Sequence, residues 1–214
     1  MSHNTAIHRI VRPIVRVAAR THVTPNQVTT MRLISGLTAA VIFAAGTYWW
    51  MFLGGLVFLL SMLLDRADGE LARQTNQMSP AGYRYDLISD CVVSITTFVG
   101  IGIGVAQTMG SSALWFGVLA GLGIGALFFE LNVLKVASVS GHEFFGGRII
   151  IDPDDAMILV PILIWCGLAY PLVAAAAVTT PLAAVGVGVL AYRRRYTRSP
   201  KANGELDRGE KARR

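Results

Sequence analysis

Two stretches without a single charged residue, 91 to 129 and 156 to 192, limit this chain more than any other feature. Inside hydrocarbon every backbone N–H and C=O must find a partner within the protein, and runs of this length suit pairs of membrane-crossing helices. The chain is 53% hydrophobic and 15% charged, which excludes an ordinary soluble domain, and its 22 glycines suit helices packed closely in lipid. The expected fold is therefore all-α and polytopic, with six transmembrane helices. Thr24 reads as an N-cap and Pro25 as the first residue of a helix running to about Thr47, with Tyr48, Trp49 and Trp50 as an interfacial belt. A second helix runs from about Met51 to Arg73, and a third from about Ala81 to Ala106. Gln107 to Ser112 breaks the first uncharged run, and a fourth helix continues to about Ser138. The second run holds two helices meeting near Gly167 to Pro171. Pro181 kinks the last one, where Thr179 and Thr180 can satisfy the freed carbonyl.

Residues 5 to 20 carry Arg9, Arg12, Arg16 and Arg20 at steps of three and four among Ile and Val, the pattern of an amphipathic interfacial helix. The domain plan that follows is 1–22 as a juxtamembrane helix, 23–192 as a six-helix catalytic domain and 193–214 as a basic, disordered tail. The formal charge of +6 resides in that tail. No apolar leader with a cleavage site precedes the first helix, which would act as its own insertion signal. The loops near 48, 109 and 169 lack Lys and Arg, whereas the cationic segments fall on the side of the termini. By the positive-inside rule both termini, and whatever opens beside them, face the cytosol of an inner (cytoplasmic) membrane. The basic tail can bind anionic lipid head groups, and with no accompanying fold signature it is not read as binding nucleic acid. Cys91 and Cys166 have no ligand or disulfide spacing, GIGIG at 100–104 has no preceding strand, and His142–Glu143 lacks the HExxH pattern. Gly117, Gly121 and Gly125 form overlapping GxxxG steps, read as close packing within the chain, with a homodimer seam as the alternative.

Against this apolar background stands DRADGELARQTNQMSPAGYRYDLISD, residues 65 to 90. Asp65 and Asp68 lie at i and i+3, and Asp86 and Asp90 at i and i+4, so each pair shares a helix face. An aspartate at membrane depth costs about 2.5 to 3.5 kcal/mol, so four together require a cation. Helices two and three, joined by a short connection, are antiparallel and bring both pairs to one membrane edge. Hard carboxylate oxygens in this number suit Mg²⁺ or Mn²⁺, as two ions, and paired ions clamp the attacking and leaving oxygens of phosphoryl transfer. Gly69 and Gly82 remove side chains where backbones and a ligand approach, and Arg73, one turn beyond Gly69, can hold a phosphate. Asp90, one turn deeper than the others, is the choice for the base that takes a hydroxyl proton. Arg32, inside the first helix, either snorkels to the surface or faces this polar site.

Asp65, Asp68, Gly69, Ala72, Arg73, Gly82, Asp86 and Asp90 reproduce DxxDGxxAR, eight residues, then GxxxDxxxD. This resembles the signature of the CDP-alcohol phosphotransferases, and the helix layout extends a looser likeness over roughly residues 5 to 195. The resemblance implies transfer of a substituted phosphoryl group from a CDP-linked donor to an alcohol hydroxyl, with release of CMP. It implies metal binding by Asp65, Asp68 and Asp86, and a base that shares in metal binding at Asp90. It also implies a CDP pocket of Asn26, Asp68, Gly69, Ala72, Arg73 and Gly82. The donor it implies is CDP-diacylglycerol, with soluble CDP-inositol as the alternative. Lys135 and Arg148, the only cations between the motif and the tail, hint at a phosphorylated acceptor such as inositol phosphate or glycerol phosphate. Tyr83, Arg84 and Tyr85 depart from the small or apolar residues common there. A cation-coupled transporter is the reading from another class; it would place acids near the bilayer midplane on broken helices.

Overall fold

The computed structural model describes Val15, Ala19, residues 21–133 and residues 157–211, with side chains through 193 except 132, 133 and 191. Every regular element among them is helical. Helix α1 spans Pro25–Ala44, where the Thr24 backbone N–H donates to Gln27 Oε1 at 3.0 Å and Pro25 fills the first position, as the cap signals predict. Gly46, at φ +77°, turns the chain into α2, Tyr48–Gln74. Tyr48, Trp49 and Trp50, expected between two helices, form the exposed first turn of α2. After a turn containing Asn76 at φ 53°, α3 runs Pro80–Met109, its start capped by Ser79 Oγ accepting from Gly82 N–H at 3.0 Å. Helix α4, Ser112–Phe128, passes into a π-helical turn, Phe129–Val133. Helix α5, Leu159–Trp165, and helix α6, Ala169–Lys211, complete the described chain.

Among the described residues, five segments are long and apolar enough to cross a membrane: α1, α2, α3, Ser112–Leu131 and Ala169–Leu190. The chain is thus an all-α, multi-pass membrane protein. The expected count was six. Helix α5 has only seven residues among those described, and such a piece rises about 10 Å, a third of the hydrocarbon core. Residues 134–156, between the π-helical turn and α5, lie outside the described residues. The same holds for Arg9, Arg12, Arg16 and Arg20 of the interfacial helix. Of that segment, Ala19 N–H donates to the Val15 carbonyl at 2.7 Å, and Val15 is buried against Val28 and Leu71. The backbone continues as helix through the basic stretch to Lys211, where composition predicts an unstructured tail.

Helix α3 is the spine. A Cβ on Gly100 would strike the Ala40 carbonyl of α1, and one on Gly102 would come within 2.8 Å of Gly117 Cα on α4. With little hydrophobic drive between helices in lipid, such close backbone approach is what van der Waals packing needs. Gly117 and Gly121 face Phe98 and Ile95 of α3, so the GxxxG stripe is used within this chain and leaves no room for a homodimer seam along it. Phe43 and Phe58 join α1 to α2 with ring centroids 6.4 Å apart, and Trp165 seats on Phe52 at 5.2 Å. The hydroxyls beside Pro181 go elsewhere than to the carbonyl it frees. Thr179 donates to Ala175 O, and Thr180 to Ala176 O and, across to α4, to Ala120 O at 3.1 Å. Gln107 Nε2 donates to Ala44 O at 2.7 Å and Trp165 Nε1 to Phe52 O at 3.2 Å, which places the turns at Gly46, Gly110 and Gly167 at one end of the bundle. The acidic ends of α2 and α3 lie at the other.

Candidate active site

The short turn after Gln74 folds α3 back along α2, so the two aspartate pairs converge. Carboxylate oxygens of Asp65, Asp68 and Asp86 all lie within 4.8 Å of one another. Asp68 is only 4% exposed, while Asp65, Asp86 and Asp90 are half-buried. Three anions this close repel strongly unless a cation or donors intervene, because a partly buried site screens charge poorly.

Helix α1 supplies the intervening groups. Thr29 Oγ1 donates to Asp68 Oδ2 at 2.7 Å. One turn on, the buried Arg32 spreads its guanidinium over the other three acids. Its Nε lies 3.3 Å from Asp65 Oδ1, its Nη1 3.3 Å from Asp86 Oδ1, and its Nη2 touches Asp90 Oδ1. The Nη1 contact is a hydrogen bond; the Nε contact is an ion pair without hydrogen-bond alignment. Ser61 of α2 donates to the Arg32 carbonyl at 2.9 Å, fixing the height of α1 against α2. Arg32 therefore faces the site, which settles the alternative between site and surface. The sequence reading left this role open and missed Thr29. The legible signal was the spacing of Thr29 and Arg32, i and i+3 on one face of an otherwise apolar helix, since a charge at membrane depth points to a site.

The expected nucleotide pocket comes together in part. A Cβ on Gly82 would lie 3.2 Å from Asn26 Oδ1, so the start of α1 and the start of α3 meet there. Beside Gly69 a Cβ would meet nothing within 4 Å, which leaves open space next to Asp68. Ala72 is half-buried one turn further along α2. Arg73 Nη2 pairs with Glu70 Oε2 at 3.0 Å, within its own helix. Tyr83 and Arg84 are exposed, and Tyr85 is not idle: its hydroxyl lies 2.9 Å from Thr30 Oγ1 and ties α3 to α1. Lys135 and Arg148 lie outside the described residues. One acid also escaped the sequence reading. Glu130 sits in the π-helical turn with Oε2 buried and no hydrogen-bond donor among the described residues, and its Oε1 would lie 3.0 Å from a Cβ on Gly188 of α6.

The donor set is anionic oxygen alone, which fits a hard divalent ion such as Mg²⁺ or Mn²⁺ and not a soft metal.

The chain resembles known proteins over this same region. Human cholinephosphotransferase 1 is 31% identical over 138 residues, covering 64% of this chain and 32% of that protein. The chicken cholinephosphotransferase 1 is 29% identical over 148 residues, 67% of this chain and 41% of its own length. Phosphatidylinositol phosphate synthase of Cutibacterium acnes is 31% identical over 108 residues, half of each chain. The chain thus spans from about a quarter to a half of the relatives it matches. The sequence model of CDP-alcohol phosphatidyltransferase matches residues 22–190, from just before α1 into α6, and the chain belongs to that family.

Proposed function

We propose that this protein transfers the phosphatidyl group of CDP-diacylglycerol to the hydroxyl of a polar alcohol and releases CMP, as a step of phospholipid biosynthesis. The observation that carries the reading is the convergence of Asp65, Asp68 and Asp86 from two helices, their oxygens within 4.8 Å, beside the open space at Gly69. Asp65, Asp68, Asp86 and Asp90 would hold two divalent ions, Mg²⁺ or Mn²⁺. Bound there, such ions neutralise the diphosphate and stabilise charge on the attacking and leaving oxygens. Asn26, Asp68, Gly69, Ala72, Arg73 and Gly82 form the CDP pocket, with Arg73 exchanging Glu70 for a phosphate oxygen. Asp90 accepts the acceptor's hydroxyl proton on the oxygen turned away from Arg32. The alcohol oxygen then bonds to the lipid-bearing phosphorus as that phosphorus loses its bond to the CMP oxygen. The helix ends that carry the acids face the cytosol across an inner membrane, by the distribution of Lys and Arg, so nucleotide enters from water and lipid from the side. Acids gathered at one end of unbroken helices do not suit a cation-coupled transporter.

The relatives' names bear on the acceptor. Phosphatidylinositol phosphate synthase supports a phosphorylated acceptor of the inositol phosphate kind, for which Lys135 and Arg148 would supply positive charge. Cholinephosphotransferase supports a second reading, the same chemistry with a soluble CDP-alcohol donor such as CDP-inositol. Purified protein given labelled CDP-diacylglycerol and, separately, CDP-inositol, each with inositol, inositol phosphate, glycerol phosphate, serine and an endogenous lipid extract, separates these. The expected result is CMP release that requires Mg²⁺ or Mn²⁺ and one acceptor. Release from neither donor under any condition would remove the proposal, and an unchanged acceptor KM in Lys135→Ala and Arg148→Ala would remove the basic pocket.

A further inference from the structure

Arg32 is a full positive charge held among the acids to which the proposed function assigns divalent cations. Its three guanidinium nitrogens each reach a different aspartate, and each takes Oδ1: Nε with Asp65 at 3.3 Å, Nη1 with Asp86 at 3.3 Å, Nη2 with Asp90. Thr29 takes one oxygen of the fourth, Asp68. Helix α1 therefore reaches all four carboxylates, and it does so with the side chain best shaped for the task, a rigid planar fork that stays charged when buried. Arg32 is 5% exposed and its backbone carbonyl accepts from Ser61, so the fork is fixed in place rather than snorkelled to water. One guanidinium against four carboxylates cancels enough charge to let them gather, and leaves most of it for another cation.

We propose that Arg32 is the resident counter-cation of the cluster. It keeps the four aspartates assembled and the three helices together when no divalent ion is bound, and its charge opposes the ions when they arrive. The chain would then differ from a structural metal site, whose ligands come apart without the metal. Here the ion enters a preformed site and is held less tightly than the carboxylates alone would hold it. Thr29 contributes no charge, so it orients Asp68 without this opposition. A purely structural tie between helices makes the contrary prediction: stability falls equally with and without metal, and metal affinity does not change.

The inference rests on the metal reading of the aspartates, and the test separates the two. Free Mn²⁺ is titrated by electron paramagnetic resonance against the full chain in detergent, without nucleotide, for wild type, Arg32→Met, Arg32→Gln and Arg32→Lys. Thermal midpoints are taken in EDTA and in Mn²⁺. Arg32→Met and Arg32→Gln should bind Mn²⁺ at least tenfold more tightly than wild type, and Mn²⁺ should raise their midpoints by a larger margin. Arg32→Lys, which keeps the charge, should stay within threefold of wild type. Equal or weaker Mn²⁺ binding by both neutral variants overturns the proposal. So does failure of both to fold even in Mn²⁺, because the divalent ion then cannot replace the guanidinium. Wild-type protein that binds no Mn²⁺ removes the metal reading itself, and Arg32's role with it.

Discussion

At the scale of single residues the site is a set of four acids, each reached through an oxygen by a side chain of α1. Thr29 and Arg32 do the holding, so the acids' second oxygens are oriented before any ligand arrives. A neutral group that orients a metal ligand typically matters 10- to 100-fold in affinity, and Thr29 is such a group, whereas the charge of Arg32 opposes the ion. Thr29→Val keeps the shape of the side chain and deletes the donor to Asp68, so Mn²⁺ binding should weaken by about tenfold, while Thr29→Ser should bind as wild type does; Mn²⁺ titration reads both. Asp90→Asn keeps volume and hydrogen bonding but cannot accept the proton. At saturating Mn²⁺ its kcat should fall by about 10²- to 10⁴-fold, a larger change than any in donor KM, measured as CMP release. If the loss appears in KM alone, Asp90 binds donor and is not the base.

At the scale of elements, what brings α1 to the acids is the glycine seam on α3. Gly100 admits the Ala40 carbonyl, and α1 carries Thr29 and Arg32 in from that contact. Gly100→Val inserts carbon where backbone already lies, and overpacking of this kind costs about 1 to 3 kcal/mol. A thermal melt in detergent should show that loss together with reduced Mn²⁺ binding. Gly69 is the contrasting case, since its surroundings are open. Gly69→Ala should leave the melt unchanged and raise the donor KM by about tenfold, roughly 1.4 kcal/mol, because the methyl enters space meant for ligand. The start of α1 was legible from Thr24–Pro25, and the turns before and after α3 were placed within a few residues, since caps and turns are local effects; the expected boundary at Thr47 and Met51 falls three residues beyond the observed Ala44 and Tyr48, because the positive φ of Gly46 ends α1 early. The crossing of α1 over α2 and α3 was not, because it depends on which small residues happen to face each other.

At the scale of the molecule, the geometry matches a bilayer with its chemistry at one edge. From Tyr48 to Asp65 the α2 helix rises about 26 Å at ~1.5 Å per residue, near the ~30 Å hydrocarbon core. The exposed Tyr48, Trp49 and Trp50 then mark one interface and the acids approach the other. In a background with Cys91 and Cys166 replaced, a cysteine at Asn76 should react with a membrane-impermeant maleimide only from the cytosolic side, and one at Ser111 only from the opposite side. The reverse pattern would invert the proposed orientation. Helix α6 carries the bundle beyond the membrane, since its 43 residues extend about 65 Å.

By itself the sequence determined that the chain crosses a membrane as helices, which helices carry the acids and which motif they form, because periodicity, charge and caps act over a few residues. It also placed the acids at one end, because a short turn leaves two helices no choice but to run antiparallel. Only the tertiary structure decided that Arg32 faces inward, that Thr29 and Tyr85 bind α1 to the site, that Gly117 and Gly121 pack on α3, and that Arg73 rests on Glu70. Each of these depends on the rotation of one helix about its axis. In lipid that rotation is set by close packing of small residues rather than by an apolar face seeking cover, and an apolar helix leaves no record of it along its sequence.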